Sequence, residues 1–169
     1  MEPAKYGGSK VMKILIAIDG SENGTLALRE VANGSWSEKD EVKVIHVVGT
    51  PLPVTDMLGV NAEIARDAHT EAFKKGSEIL ASAVELLAKE AAGLTVSSEV
   101  VTAQPFHSAA EEIVNYAGRY GADLVVMGSR GMSMWKSLIV GSVSFAVIQH
   151  APCSVMIVRP KQLVMDTEG

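Results

Sequence analysis

One cysteine, few aromatic residues and no long apolar run set the first limits on this chain of 169 residues. The single Cys153 cannot form an internal disulfide, which is typical of proteins from the reducing cytoplasm. Aromatic residues make up only 5%, so aliphatic side chains have to build the core. No apolar run approaches the roughly 20 residues of a membrane span, and residues 1–10 lack the apolar centre of a secretory signal. We therefore expect a cytoplasmic protein that does not enter a membrane.

Acidic residues are missing from one long part of the chain, although the protein as a whole is acidic. The net charge of −5 argues against general nucleic-acid binding, which favours a basic surface. The 42 residues from Leu124 to Met165 contain no Asp or Glu, and their Lys and Arg residues give them a formal charge of +4. The absence of acids is either functional or a matter of chance in a mostly buried segment, and both explanations stay open at this point. If the absence is functional, it favours an anionic ligand near this segment.

The arrangement of apolar segments predicts one domain over residues 11–160, with a flexible tail at 1–10 and a C-terminal tail at 161–169. Short apolar runs, typical of buried strands, alternate with segments that repeat apolar residues every three or four positions, as helices do. A break near Gly76 would shorten the longest helix, and residues 49–59 are predicted to form a loop. The strands are predicted at 13–18, 42–48, 95–102, 123–127 and 154–158, and the helices at 23–33, 61–92, 106–120 and 142–149.

Strict alternation of strands and helices predicts an α/β fold, a single doubly wound parallel sheet covered by helices on both faces. Ligands of such sheets bind beyond the carboxyl ends of the strands, where the strand order reverses. Asp19 and Gly128 each directly follow a predicted strand. If these two strands are neighbours, the acid and the glycine face one crevice.

Glycines frame the segment that follows the fourth strand. Gly128-Ser-Arg-Gly131 is followed by nine residues and then by Gly141-Ser142, which opens the last predicted helix. Glycine allows close approach of backbone to a ligand, and a helix N-terminus favours anions. The two commoner nucleotide motifs, Gly-x-x-x-x-Gly-Lys-Ser/Thr and Gly-x-Gly-x-x-Gly, are both absent from the sequence. The segment therefore predicts a phosphate-binding loop of a different kind.

This spacing, Gly-x2-Gly-x9-Gly-Ser/Thr, resembles the motif of the nucleotide-binding universal stress proteins, and the similarity extends over about residues 11–160. It includes Asp19-Gly20-Ser21 after the first strand, His46-Val47 in the second, Ala122–Gly128 before the loop, and His150-Ala-Pro-Cys153 before the last strand. The resemblance implies the strand order 3-2-1-4-5, a homodimer and ATP in the crevice. It also implies a role in the stress response.

The resemblance assigns a part of the nucleotide to each matching position. It implies that Asp19 contacts the ribose and that the backbone near Val47 meets the adenine. Hydroxyl and amide donors at a helix start also suit an anion on physical grounds. The complete predicted nucleotide-binding set is Asp19, Val47, Met127, Gly128, Arg130, Gly131, Gly141, Ser142, Val143 and Ser144.

Several of these residues have a second interpretation that the sequence leaves open. Asp19 is also placed to cap the first helix together with Ser21. Arg130 and Lys136 are either phosphate ligands or solvated loop cations. Met134 and Trp135 form a flap over the site or serve as surface contacts. We interpret His46 as a hydrogen-bonded core histidine and Cys153 as a packed strand residue. The other three histidines, His69, His107 and His150, are not spaced as metal ligands are.

No side chain near the predicted phosphate-binding loop is suited to catalysis. ATP hydrolysis needs a residue that orients water and usually carboxylates that hold Mg²⁺, and only Asp19 is available. A Mg²⁺ or Mn²⁺ ion would be held by the phosphates alone, and we predict no protein metal site. We expect an ATP-binding, nucleotide-responsive protein; a slow ATPase and a nucleotide-free interaction module are the alternatives. The sequence does not distinguish ATP from AMP or a cyclic nucleotide.

The last strand predicts how the protein assembles. Val155, Met156, Ile157 and Val158 are all apolar, yet the implied order places this strand at an edge of the sheet. Exposed apolar edges have to be covered or paired. Pairing with a second copy across a two-fold axis would cover the edge, and so would the tail at 161–169. We favour the homodimer.

Overall fold

The structure is a computed structural model that describes residues 11–50, 62–91, 93–131 and 140–160. The predicted tails, most of the 49–59 loop, and the residues Met134, Trp135 and Lys136 lie outside these ranges. Strands and helices alternate along the chain, as the sequence predicts. The elements are β1 (Lys13–Ala17), α1 (Glu22–Ala32), β2 (Glu41–Val48), α2 (Ala62–Glu90), β3 (Thr95–Thr102), α3 (Ala109–Tyr120), β4 (Leu124–Gly128), α4 (Ser142–His150) and β5 (Ser154–Val158).

The five strands form one parallel sheet in the order β3-β2-β1-β4-β5, so the predicted order 3-2-1-4-5 is confirmed. The order reverses between β1 and β4, which pair directly. In their register Ala17 lies beside Met127 on one side and Ile45 on the other. The carboxyl ends of β1, β2 and β4 are therefore neighbours, and the loops that follow them meet at one edge of the sheet.

Alternating strand residues supply two separate cores, one on each face of the sheet. Ile14, Ile16 and Val126 pack with α1 and α2 on one face. Leu15 and Val125 lie between them in sequence and pack with α3 and α4 on the other. The central strands are buried on both faces, which explains why their sequences are continuous apolar runs without polar alternation.

Helix α2 is continuous over its 29 residues, so the break considered near Gly76 does not occur. A Cβ at Gly76 would lie 2.7 Å from His46 Cδ2 and 3.4 Å from the side chain of Val100. The glycine therefore lets the helix pass close to the sheet, and it does not end the helix. At 1.5 Å per residue the helix is about 44 Å long, much longer than the strands it covers.

Helix α3 begins three residues later than predicted. Ser108 caps it and forms a capping box with Glu111, while Gly121 ends it in a left-handed conformation. The preceding residues Gln104 to His107 form a turn, closed by a hydrogen bond from the His107 amide to the Gln104 carbonyl. Phe106 thus belongs to a turn and not to the helix, because the capping box fixes the helix start at Ala109.

Candidate functional site

A cavity of about 450 Å³ opens at the carboxyl ends of β1 and β4. This volume is within the usual range for small-molecule sites. All ten residues predicted to bind nucleotide line it: Asp19, Val47, Met127, Gly128, Arg130, Gly131, Gly141, Ser142, Val143 and Ser144. The structure therefore brings the predicted set together around one cavity, although residues from four parts of the chain contribute to it.

Two hydrogen bonds close the glycine-framed loop at its base. The Gly141 amide donates to the Ser129 carbonyl at 2.7 Å, and the Ser144 hydroxyl donates to the Gly128 carbonyl at 2.9 Å. Ser144 is 3% exposed, so this hydroxyl is part of the fold and its hydrogen is engaged. The start of α4 is thereby fixed against the end of β4, and of Ser144 only the amide remains as a donor for a ligand.

The N-terminus of α4 supplies amides to the cavity. Gly141 is its N-cap and makes no side-chain capping bond, and the first helical hydrogen bond runs from the Phe145 amide to the Gly141 carbonyl. The amides of Ser142, Val143 and Ser144 precede that bond and thus have no partner within the helix. All three residues line the cavity. Amides in this arrangement, together with the helix dipole, form an environment that favours anions.

Arg130 adds a positive charge to the same wall. Its Nε is buried, and no hydrogen-bond acceptor for it occurs among the described residues. A buried N–H group without an acceptor is costly in a folded protein. The guanidinium lines the cavity and contributes positive charge to it.

Asp19 lines the same cavity. One carboxylate oxygen, Oδ1, accepts the Ser21 amide at 3.0 Å, and Ser21 in turn caps α1 by accepting the Gly24 amide. The N-cap is therefore Ser21, and Asp19 supports it. The other oxygen faces Gly131, where an added Cβ would lie 2.6 Å from Oδ2. The carboxylate thus reaches the glycine-framed loop while holding the start of α1.

Two of the three motif glycines, Gly128 and Gly131, are needed for different reasons, and none of the three has a left-handed backbone. A Cβ at Gly128 would lie 2.6 Å from the backbone carbon of Asn23, so this glycine makes room for α1. At Gly131 it would meet the carboxylate of Asp19, and at Gly141 its nearest neighbours would be 3.5 Å away. Only Gly131 keeps space inside the cavity itself.

Sequence reasoning missed part of the apolar wall. Ala109 and Ile113 of α3, Ala17 and Ile45 of the sheet, and the residues Ile18 and Gly24 also line the cavity. The signal for Ala109 and Ile113 was available, because α3 follows a strand and begins at the same edge.

His46, as predicted, is hydrogen-bonded: its Nδ1 lies 2.9 Å from the Ile18 carbonyl. Burial and the nearby Asp123 raise the pKa of Cys153, which keeps this half-buried thiol protonated.

A comparison with protein families identifies the family of the chain. The model of the universal stress protein family matches residues 10–159. The chain belongs to this family. The Bacillus subtilis universal stress protein YxiE is 34% identical over 151 residues, which cover 87% of this chain and 98% of YxiE.

Solved structures of the same kind share the architecture of this universal stress protein. The hypothetical protein MJ0577 superimposes with a TM-score of 0.74 at 26% identity, over 90% of this chain and 98% of its own. A universal stress protein from Archaeoglobus fulgidus in complex with dAMP gives a TM-score of 0.62 at 23% identity, over 86% and 96%. At that identity the second likeness concerns the fold alone.

Within the described ranges, no three His, Cys, Asp or Glu side chains gather as metal ligands do. A Mg²⁺ or Mn²⁺ ion held by phosphates alone stays a prediction. None of the helices in those ranges is long and apolar enough to cross a bilayer.

Proposed function

We propose that this universal stress protein binds ATP in the cavity at the β1–β4 edge and acts in the cytoplasm as a dimeric, nucleotide-responsive module of the stress response. The observation that carries the proposal is the combination of two kinds of group around one cavity. Three helix-start amides and Arg130, whose Nε has no acceptor among the described residues, suit phosphates. The Asp19 carboxylate suits a ribose diol.

The apolar lining supplies the third part of a nucleotide site. Val47, Ile45, Met127, Ala109 and Ile113 line the cavity from the sheet and from α3. Such a surface favours a base, with specificity left to backbone groups near Val47. That a family member from Archaeoglobus fulgidus has been solved with dAMP supports an adenine nucleotide as the ligand.

We propose binding and not efficient hydrolysis. Among its described residues the cavity lining contains a single carboxylate, Asp19, and that group already accepts the Ser21 amide. A residue that orients water and an acid that holds Mg²⁺ would both be needed for phosphoryl transfer to water. This cavity lining therefore supports a nucleotide-binding protein better than a slow ATPase.

Support for the dimer comes from β5. It is an edge strand of the described sheet, and Val155, Met156 and Ile157 are only half-buried there. Val155 and Ile157 share a sheet face with α4, which itself exposes Phe145 and Ile148. No charged Asp, Glu, Lys or Arg residue occurs in α4 or β5, so two copies of this surface do not repel each other when they meet across a two-fold axis.

The decisive experiment is a thermal-unfolding titration of purified protein with ATP, AMP and cyclic AMP. Ligand at 100 times its dissociation constant stabilises the native state by about 2.7 kcal/mol, which is about 5–11 °C in midpoint for a chain of this size. Gly131→Ala, whose Cβ would meet the Asp19 carboxylate, should lose most of this shift. Gly118→Ala is the matched control, since a Cβ there meets nothing within 4 Å. No shift with any of the three nucleotides would refute the proposal.

A further inference from the structure

Phe106 has an unfavourable backbone conformation and an exposed side chain. Its φ is +67°, the only positive value at a non-glycine position in the described ranges. Its side chain is 77% exposed, so burial does not repay this cost. A bulky residue in the left-handed region is an outlier, and outliers of this kind cluster at ligand-binding sites.

The turn that holds Phe106 makes the residue choice more unusual. Gln104-Pro-Phe-His107 is closed by the bond between its first carbonyl and its last amide, with Pro105 second and the positive φ third. This is the pattern of a type II turn, in which the third position strongly favours Gly or Asn. A phenylalanine there serves neither the turn nor the core.

Both ends of the turn are firmly anchored. The Ala103 amide donates to the Val48 carbonyl at 2.8 Å, and the Thr50 hydroxyl donates to the Ala103 carbonyl. Glu112, which is 2% exposed, accepts the Gln104 amide at 2.9 Å and lies 2.7 Å from Nδ1 of the His107 ring. A buried carboxylate thus holds the Gln104 backbone on one side of Phe106 and the His107 side chain on the other.

These anchors place the turn at the rim of the nucleotide cavity. Ala103 is bonded to Val48, the neighbour of the lining residue Val47, and Ala109, three residues after Phe106, lines the cavity itself. Phe106 itself is not a lining residue, but three residues span at most about 11 Å, so its backbone lies within that distance of the apolar wall.

We propose that Phe106 is a base-stacking residue, whose ring packs on the purine of the bound nucleotide and closes the apolar end of the cavity. The inference rests on the proposed function, because it concerns the same site. It accounts for the cost of the turn, since a backbone that is fixed before binding loses little conformational freedom when the base arrives. Stacking of a base on an aromatic side chain is tolerant of the base, so the ring adds affinity for nucleotides in general.

The test uses Phe106→Gly, which removes the ring and supplies the residue that the turn favours. We expect this variant to bind ATP about 5- to 150-fold more weakly, the equivalent of about 1–3 kcal/mol of stacking. Its midpoint of thermal unfolding should not fall, because the strained φ is relieved. Phe106→Tyr should retain wild-type affinity. The control is Phe73→Ala, which removes another exposed aromatic ring, on α2, and should change neither quantity.

Isothermal titration with both ATP and AMP separates stacking from other roles. Because the base is common to both ligands, Phe106→Gly should weaken them by the same factor. Unchanged affinity, or a loss confined to ATP, would overturn the stacking role, and so would a change in sedimentation with affinity intact, which would assign the ring to a protein interface. If the wild-type protein binds neither nucleotide, the proposed function itself fails and the stacking role fails with it.

Discussion

Replacement of Gly128 by alanine tests whether this glycine serves the fold and not the ligand. A Cβ at this position would lie 2.6–2.7 Å from three atoms of Asn23, two of which belong to the backbone of α1. These distances are roughly 0.8 Å short of ordinary carbon contact, and backbone cannot move aside as a flexible side chain can. Overpacking of this kind costs about 1–3 kcal/mol, against a gain of about 0.5–1 kcal/mol from replacing glycine in a strand.

The two ranges together give a net destabilisation of Gly128→Ala of about 0–2.5 kcal/mol, with a central value near 1 kcal/mol, or about 2–4 °C in the unfolding midpoint. Urea unfolding without nucleotide, followed by circular dichroism, measures it directly. The matched control is Gly49→Ala, directly after β2, where a Cβ would meet nothing within 4 Å and no positive φ requires glycine. We expect the control to stay within about 0.5 kcal/mol of the wild type. Equal stability of the two variants would show that α1 moves aside and that the packing explanation is wrong.

Three further predictions concern a cation, a carboxylate and the sheet edge. Arg130→Met should weaken ATP binding more than AMP binding in isothermal titration and leave the unfolding midpoint unchanged. Equal losses of affinity for the two nucleotides would show that Arg130 does not contact the additional phosphates of ATP. Burial raises the pKa of Glu112, but its hydrogen bonds with Gln104 and His107 outweigh this effect and hold the pKa below the ordinary value of 4.5. The stability that Glu112 contributes is therefore present above pH 4.5 and lost as the pH falls further. Glu112→Gln should lower the free energy of unfolding in urea by about 1.5–3 kcal/mol at pH 7 and by less at pH 4. The same loss at both pH values would contradict this explanation. Ile148→Asp should shift sedimentation equilibrium towards monomer, while Ile64→Asp, at an exposed position of α2, should not.

The sequence predicted the fold well because its signals are local and repeated. Continuous apolar runs such as Leu124–Met127 have a simple cause, since a strand covered on both faces has no polar side. The strand order came from the resemblance, because no periodicity within one strand tells which neighbour it pairs with. The helix starts were less certain: the boundary of α3 was wrong by three residues because a capping box at Ser108 and Glu111 outweighs the helical character of the residues before it.

The candidate site was harder to predict in its physical detail than in its membership. Sequence reasoning explained the motif glycines by one common purpose, the close approach of a ligand. The contacts show that Gly128 makes room for α1 and that Gly131 makes room for the Asp19 carboxylate. Spacing could not reveal this, because the reason lies in atoms from the other half of the sheet. The same holds for Ser144, whose hydroxyl is engaged by the Gly128 carbonyl within the fold.

These assignments separate two requirements that one motif combines. Gly128, the Ser129 carbonyl and the Ser144 hydroxyl hold α1, β4 and α4 together and need no ligand for that role. Gly131 and the open amides at the start of α4 contribute nothing comparable to the described packing, and they line the cavity. A universal stress protein could therefore lose nucleotide binding through Gly131 and still fold, whereas loss of Gly128 would affect both. An intact Gly128 in such a chain is evidence of the fold, and an intact Gly131 is the better sign of a nucleotide.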